Sequence, residues 1–106
     1  MKHCIRPSAR DDILRQYRYY LLEDALDAAT RFLEAVDNSI SLCKMPEMGA
    51  PRAFKNPILA GLRSWPVKDF EDMRIYYVIQ KGVLRVVRVL HGKRDIKTIL
   101  ETEKGR

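Results

Sequence analysis

A chain of 106 residues with 46% hydrophobic and 32% charged side chains is long enough to bury a core without metal or disulfide staples and too apolar to be disordered. A single domain over residues 1–106 is therefore expected. The net charge of +6 is unevenly placed: residues 1–22 carry five Lys/Arg against two Asp/Glu, residues 23–43 one against five, and residues 44–106 fourteen against seven.

A basic C-terminal half suits nucleic acid, phosphate or an acidic protein as partner, and it serves solubility equally well. No apolar run reaches the length of a membrane span, and "MKHCIRPSARDD" lacks the apolar segment of a signal peptide, so a cytoplasmic protein is expected. Cys4 and Cys43 have no CxxC spacing, and free thiols are expected rather than a disulfide. His3 and His91 are too few for a metal site, and no metal or cofactor is expected.

In chain order, "HCI" at residues 3–5 reads as a short strand ended by Pro7. Ser8 and Asp11 read as an N-cap and a first-turn acid. Ile13, Leu14, Tyr17, Tyr20 and Leu21 then recur at helical spacing, predicting a helix over about 9–20. After a break near Leu22, the stripe Ala25, Ala28, Ala29, Phe32, Val36, Ile40 and Cys43 predicts a second helix antiparallel to the first, stopped by Pro46. "MPEMGAPRAFKNP" (45–57) reads as a loop.

The remainder reads as sheet. "LRSWPV" (62–67) is confined by Pro66 to an edge or bulge, and "MRIYYVI" (73–79) and "VLRVVRVLH" (83–91) join through a tight turn at Lys81-Gly82. Asp95 can cap a short final helix, 96–103, with Ile96, Ile99 and Leu100 as its apolar edge. The expected fold is α+β: an N-terminal helical hairpin packed on a small twisted antiparallel sheet, with a short C-terminal helix.

A two-residue turn at Lys81-Gly82 sets Tyr77 opposite Val86 and Tyr76 opposite Val87. Period-two alternation then sorts the hairpin into two faces. Met73, Ile75, Tyr77, Ile79, Leu84, Val86, Arg88 and Leu90 form the face expected under the helices. Phe32, Val36, Ile75, Tyr77, Val86 and Leu90 are expected to share one core. Arg74, Tyr76, Val78, Arg85, Val87, Val89 and His91 form the other face, apolar in the middle and cationic at its ends. Its middle, Tyr76, Val78, Val87 and Val89, needs cover. The last helix can supply it, or a second chain can, and the second option makes these four the candidate partner-binding residues. Arg74 and His91, with Lys93 and Arg94 beyond them and Arg63 on the preceding strand, form a candidate cationic rim for phosphate or carboxylate. The other reading is that Arg74, Arg94 and Asp95 pair with each other.

"RPSARDDI" opening the hairpin, "GLRSWPV", "RIYYVI" and "LRVVRVLHGKRD" stand in an order and spacing that resemble the ParE branch of the RelE/ParE toxins of bacterial toxin–antitoxin modules. The resemblance runs from about His3 to Leu100. It implies the helical-hairpin-on-sheet fold and a cognate antitoxin whose C-terminal segment wraps the toxin. It implies one of two activities: ParE-like members trap DNA gyrase on cleaved DNA, and RelE-like members are ribosome-dependent endoribonucleases that cut mRNA. In the second case Arg63, Arg74, His91 and Arg94 would be the catalytic set, with cations on the scissile phosphate and a proton-transfer group near the 2′-OH. RelE-like members often place a tyrosine a few residues past the basic exit, near Leu100 here, where no Tyr or His follows His91, and tend to carry a lysine where Trp65 stands. This chain departs from both, which favours gyrase as target, no enzymatic activity, and Arg63, Arg74, His91, Lys93 and Arg94 as a target-binding rim. A non-toxic nucleic-acid-binding module is the third class.

Overall fold

The computed structural model describes residues 1–45, 50–51, 61–94 and 98–100. Pro46, Asp95, Ile96 and most of the 45–57 loop lie outside the described residues.

Strand β1 (Lys2–Ile5) leads into helix α1 (Pro7–Leu22) and helix α2 (Leu26–Cys43), followed by β2 (Ala50–Pro51), β3 (Arg63–Val67), β4 (Phe70–Gln80) and β5 (Val83–His91). The sheet order is β1-β5-β4-β3-β2. β1 runs parallel to β5, and the other pairs are antiparallel. The α+β architecture is the expected one, and the parallel pairing makes the sheet mixed. Local periodicity says where a strand lies but not which edge it joins.

The helices start and stop for identifiable reasons. Pro7 occupies the first turn of α1, where its fixed φ and missing N–H cost nothing, and Arg6 precedes it with no side-chain cap. The predicted Ser8 cap is therefore replaced by a proline start, two residues earlier than expected. α1 ends in a Schellman-type turn. The Ala25 N–H donates to the Tyr20 carbonyl and the Asp24 N–H to that of Leu21, with Asp24 at φ 56°. α2 begins immediately afterwards, which folds the two helices into the hairpin.

One face of α2 buries Ala29, Phe32, Ala35, Val36, Ser39, Ile40 and Cys43. With Ala9 and Ile13 of α1 it packs on Val67, Met73, Ile75, Tyr77, Leu84, Val86 and Val89 of the sheet. The Lys68 N–H donates to the buried Ser39 hydroxyl at 3.0 Å, tying the β3–β4 turn to α2.

The β4–β5 hairpin turns at Lys81 and Gly82, with φ 52° and 75°, the positive pair that a two-residue hairpin requires. Pairing proceeds as expected from Gln80↔Val83 to Tyr77↔Val86, and then a bulge opens. Tyr76 pairs with Arg88, not Val87, so Val87 is an extra residue. Val89, Leu90 and His91 change face, whereas the Arg88 guanidinium still reaches Asp12 of α1. Val89 joins the helix-side core and Leu90 the opposite face, and His91 pairs with Met73. The core expected for Phe32, Val36, Ile75, Tyr77 and Val86 is present. Leu90 is buried, but in the second cluster.

That second cluster covers the outer face. Leu62, Tyr76, Val78, Val87, Leu90 and Leu100 are buried together, with Ile99 packed alongside. The candidate partner-binding set is accordingly corrected: Tyr76, Val78, Val87 and Val89 are all buried within this chain. The helical Thr98–Leu100 segment and the residue before β3 supply the cover, and Val89 faces the other way because of the bulge.

Candidate functional site at the end of the β4–β5 hairpin

The candidate cations do not form one rim on one face. Arg74 lies on the outer face: it pairs with Leu90 and its Nη2 donates to the Ser64 hydroxyl at 3.0 Å. Arg63 pairs with Tyr77 and His91 with Met73, both on the helix side. The expectation that Arg74 and His91 share a face fails because the Val87 bulge turns His91 over. Arg63 and His91 stand four residue steps apart along β4, roughly 13 Å at the rise of a strand. Lys93 and Arg94 are exposed where the chain leaves β5.

The turn after β5 is built to hold Arg74. The Gly92 N–H donates to the Asp72 carbonyl at 2.6 Å, and the Arg94 N–H to the His91 carbonyl at 3.0 Å. A Cβ at Gly92 would lie 3.3 Å from Arg74 Cδ, so glycine leaves room for the arginine stem to cross the backbone. The buried Arg74 Nε has no hydrogen-bond partner among the described residues. The result is a guanidinium whose stem is clamped and whose fork is held by a neutral hydroxyl, an arrangement that retains capacity for an anion. The Lys93 N–H donates to His91 Nδ1 at 3.3 Å, an arrangement that places the proton of a neutral ring on Nε2.

On the helix side a small cavity of about 100 Å³ brings His91 and Arg94 together with Arg15 of α1. Asp12 also lines it. Arg15 and Asp12 escaped the sequence reading. Arg88, a charged residue in a run of valines, was the visible half of the Asp12 pairing, since a buried arginine needs an acid. The Asp12–Arg88 pair holds α1 against β5, and so fixes the distance between Arg15 and the end of β5.

Deeper under the sheet, Cys43 and Tyr77 meet by a side-chain hydrogen bond. Burial pushes the Cys43 thiol up to about 11, a shift partly offset by that bond. Burial pushes Tyr77 up to about 12, with the neighbouring Cys43 adding to the rise and Arg63 opposing it. Neither is a poised nucleophile or base near neutral pH. Cys4 and Cys43 are both free thiols. Among the described residues no cluster of His, Cys, Asp and Glu could hold a metal, and no helix is long and apolar enough to cross a membrane.

These features define a small basic α+β domain with Arg74, Lys93 and Arg94 at one end of a hairpin. The family model for the ParE toxin of the type II toxin–antitoxin system parDE matches residues 5–96, and the chain belongs to that family. Among solved structures it is similar to a chain of the chromosomal ParDE TA system from P. aeruginosa, at 20% identity and a TM-score of 0.60, covering 86% of this chain and 95% of that one. At that identity the likeness concerns the fold. No curated protein matches the chain.

Proposed function

We propose that this ParE-family toxin acts by inhibiting DNA gyrase, and that a cognate antitoxin encoded with it neutralises it. The observation that carries the reading is the family match over residues 5–96. The hairpin end supports a binding rather than a cleaving role. Arg74, Lys93 and Arg94 supply cations for an anionic surface. Near the position where the nuclease branch often has its tyrosine, this chain has Leu100, apolar and buried. Cations alone grip a phosphate, whereas efficient RNA cleavage also requires proton transfer.

An antitoxin segment cannot use the Tyr76–Val78–Val87 face without displacing the chain's own cover. The helical hairpin offers Leu14, Leu26 and Leu33, all exposed, and β1 presents an open sheet edge. An amphipathic helix on the first or an added strand on the second satisfies the same physics.

The test is a gyrase supercoiling assay with purified toxin. Loss of supercoiling with accumulation of cleaved DNA is expected. Lys93→Ala with Arg94→Ala should weaken it with no change in fold, since both side chains are exposed. Discrete A-site cuts on translating ribosomes that vanish in His91→Ala would overturn the reading and make this a nuclease, with His91 transferring the proton.

A further inference from the structure

The function above leaves an aromatic-walled cavity unused. A cleft of about 550 Å³ opens between the second half of α1 and the start of β4. Its walls are aromatic: Tyr19 and Tyr20 from the helix, Phe70 from the strand. Its rim is acidic: Asp69, Glu71 and Asp72 line it, with His91 at one end. We propose that this cleft receives an arginine-bearing segment of a protein partner, the guanidinium stacked on Tyr19 or Tyr20 and paired with the carboxylates.

The aromatic wall is set before any ligand arrives. The Tyr20 ring lies 5.7 Å from Phe32 and 5.8 Å from Phe70, and those two lie 5.4 Å apart, so Tyr20 and Phe70 are anchored to the core. Tyr19 leans edge-on to Tyr20 at 5.6 Å and remains exposed. A cation therefore meets a fixed Tyr20 ring with the exposed Tyr19 resting against it, which lowers the ordering cost.

Among the described residues the carboxylates have no cation of their own: none of Asp69, Glu71 and Asp72 forms an ion pair, although the chain carries 20 Lys and Arg. Three acids within four residues, among which the Asp69 N–H donates to the Glu71 carboxylate at 3.3 Å, make a local negative field on a protein of net charge +6. Arginine suits such a site better than lysine because its plane stacks on an aromatic ring while its fork engages a carboxylate.

The surface beyond the cleft favours a protein segment over a free polyamine. Leu22, one turn after Tyr19 on the same side of α1, is 85% exposed. A segment with an apolar residue beside its arginine would cover both. The cleft adjoins the cationic end, since His91 lines it and the Asp72 carbonyl accepts the Gly92 N–H, but the carboxylates play no part in the gyrase reading, so the peptide titration and the supercoiling assay can fail separately.

Titration of the isotope-labelled toxin with acetyl-Leu-Arg-Gly-Arg-amide, followed by amide chemical shifts, tests the proposal. Shifts should centre on Tyr19, Tyr20 and residues 70–72, and the citrulline version of the peptide should bind about tenfold more weakly. Glu71→Gln with Asp72→Asn should weaken the arginine peptide by a similar factor with an unchanged far-ultraviolet spectrum. Tyr19→Ala tests the stacking separately and should also weaken it. Equal binding of the citrulline peptide, indifference to the carboxylate substitutions, or spermine binding in the cleft where the peptide does not, would each overturn it.

Discussion

Arg88, in the middle of β5, closes a two-pronged ion pair with Asp12 of α1: Nε lies 2.7 Å from one carboxylate oxygen and Nη2 2.8 Å from the other. Both residues are buried, at 8% and 4% exposure. The oxygen that takes Nε also accepts the Val89 N–H at 3.0 Å. The geometry explains itself from the topology. β1 pairs with β5 only as far as Val86, and then the chain turns into α1. Asp12 bonds the next stretch of β5 edge that β1 has left, and so satisfies a backbone donor that would otherwise be buried unpaired.

Removing one partner should therefore cost far more than a surface pair would. Asp12→Ala leaves a buried guanidinium and an orphaned amide, and is expected to destabilise by about 3–5 kcal/mol. Arg88→Met should cost less, because the carboxylate keeps its backbone donor and borders the small cavity containing Arg15. Chemical denaturation of both single variants and the double variant measures the coupling, expected within about 0.5–3 kcal/mol. A cost below about 1 kcal/mol for Asp12→Ala would mean that water replaces the carboxylate freely.

The two cores should respond separately. Phe32→Ala removes a wholly buried ring that touches Tyr20 and Phe70, and should cost about 3–5 kcal/mol. Leu100→Ala opens the outer cluster and should cost about 2–5 kcal/mol. Hydrogen exchange should then rise at Tyr76, Val78 and Val87 with protection in α2 retained. An outer face that stays protected in Leu100→Ala would show that the last helix contributes little to its cover.

Alkaline pH should weaken the fold through Cys43 and Tyr77. Both have raised values in the folded chain, so both favour it in their neutral form. Their contribution is complete below pH 9, where the unfolded thiol is still protonated. It declines from about 9 to 11 as the unfolded chain alone releases the Cys43 proton. Tyr77 extends the decline from about 10 to 12. Urea titrations from pH 7 to 11 should show stability level at first and then falling. Cys43→Ala should shrink the fall between pH 9 and 11, and an unchanged profile would remove the thiol from the account.

Antitoxin binding should leave the outer sheet face untouched. With a cognate antitoxin bound, Leu26→Ser together with Leu33→Ser should weaken the complex at least about tenfold. The isolated toxin should lose little stability, because both leucines are exposed. Added exchange protection confined to residues 76–87, with none on the hairpin or β1, would refute the hairpin as the docking surface.

The sequence by itself determined the two helices, the strands other than β2 and the turn between the last strands, whereas β2 lies in the stretch that reads as a loop. Phe32, Val36 and Ile40 recur at helical spacing, and Lys81-Gly82 can adopt the positive φ pair of a two-residue hairpin. These are local properties of period and backbone freedom, and they act over a few neighbouring residues. What the tertiary structure decided was everything that depends on one inserted residue or on a remote partner. Alternation carries no mark of the extra residue Val87, because valine suits either face of a sheet with two buried sides. Yet that bulge turns Val89, Leu90 and His91 over and divides Arg74 from His91. Neither the parallel docking of β1 nor the Asp12–Arg88 pair has a local signature. Each is settled by which buried donors and acceptors are left over once the helical hairpin has packed on the sheet.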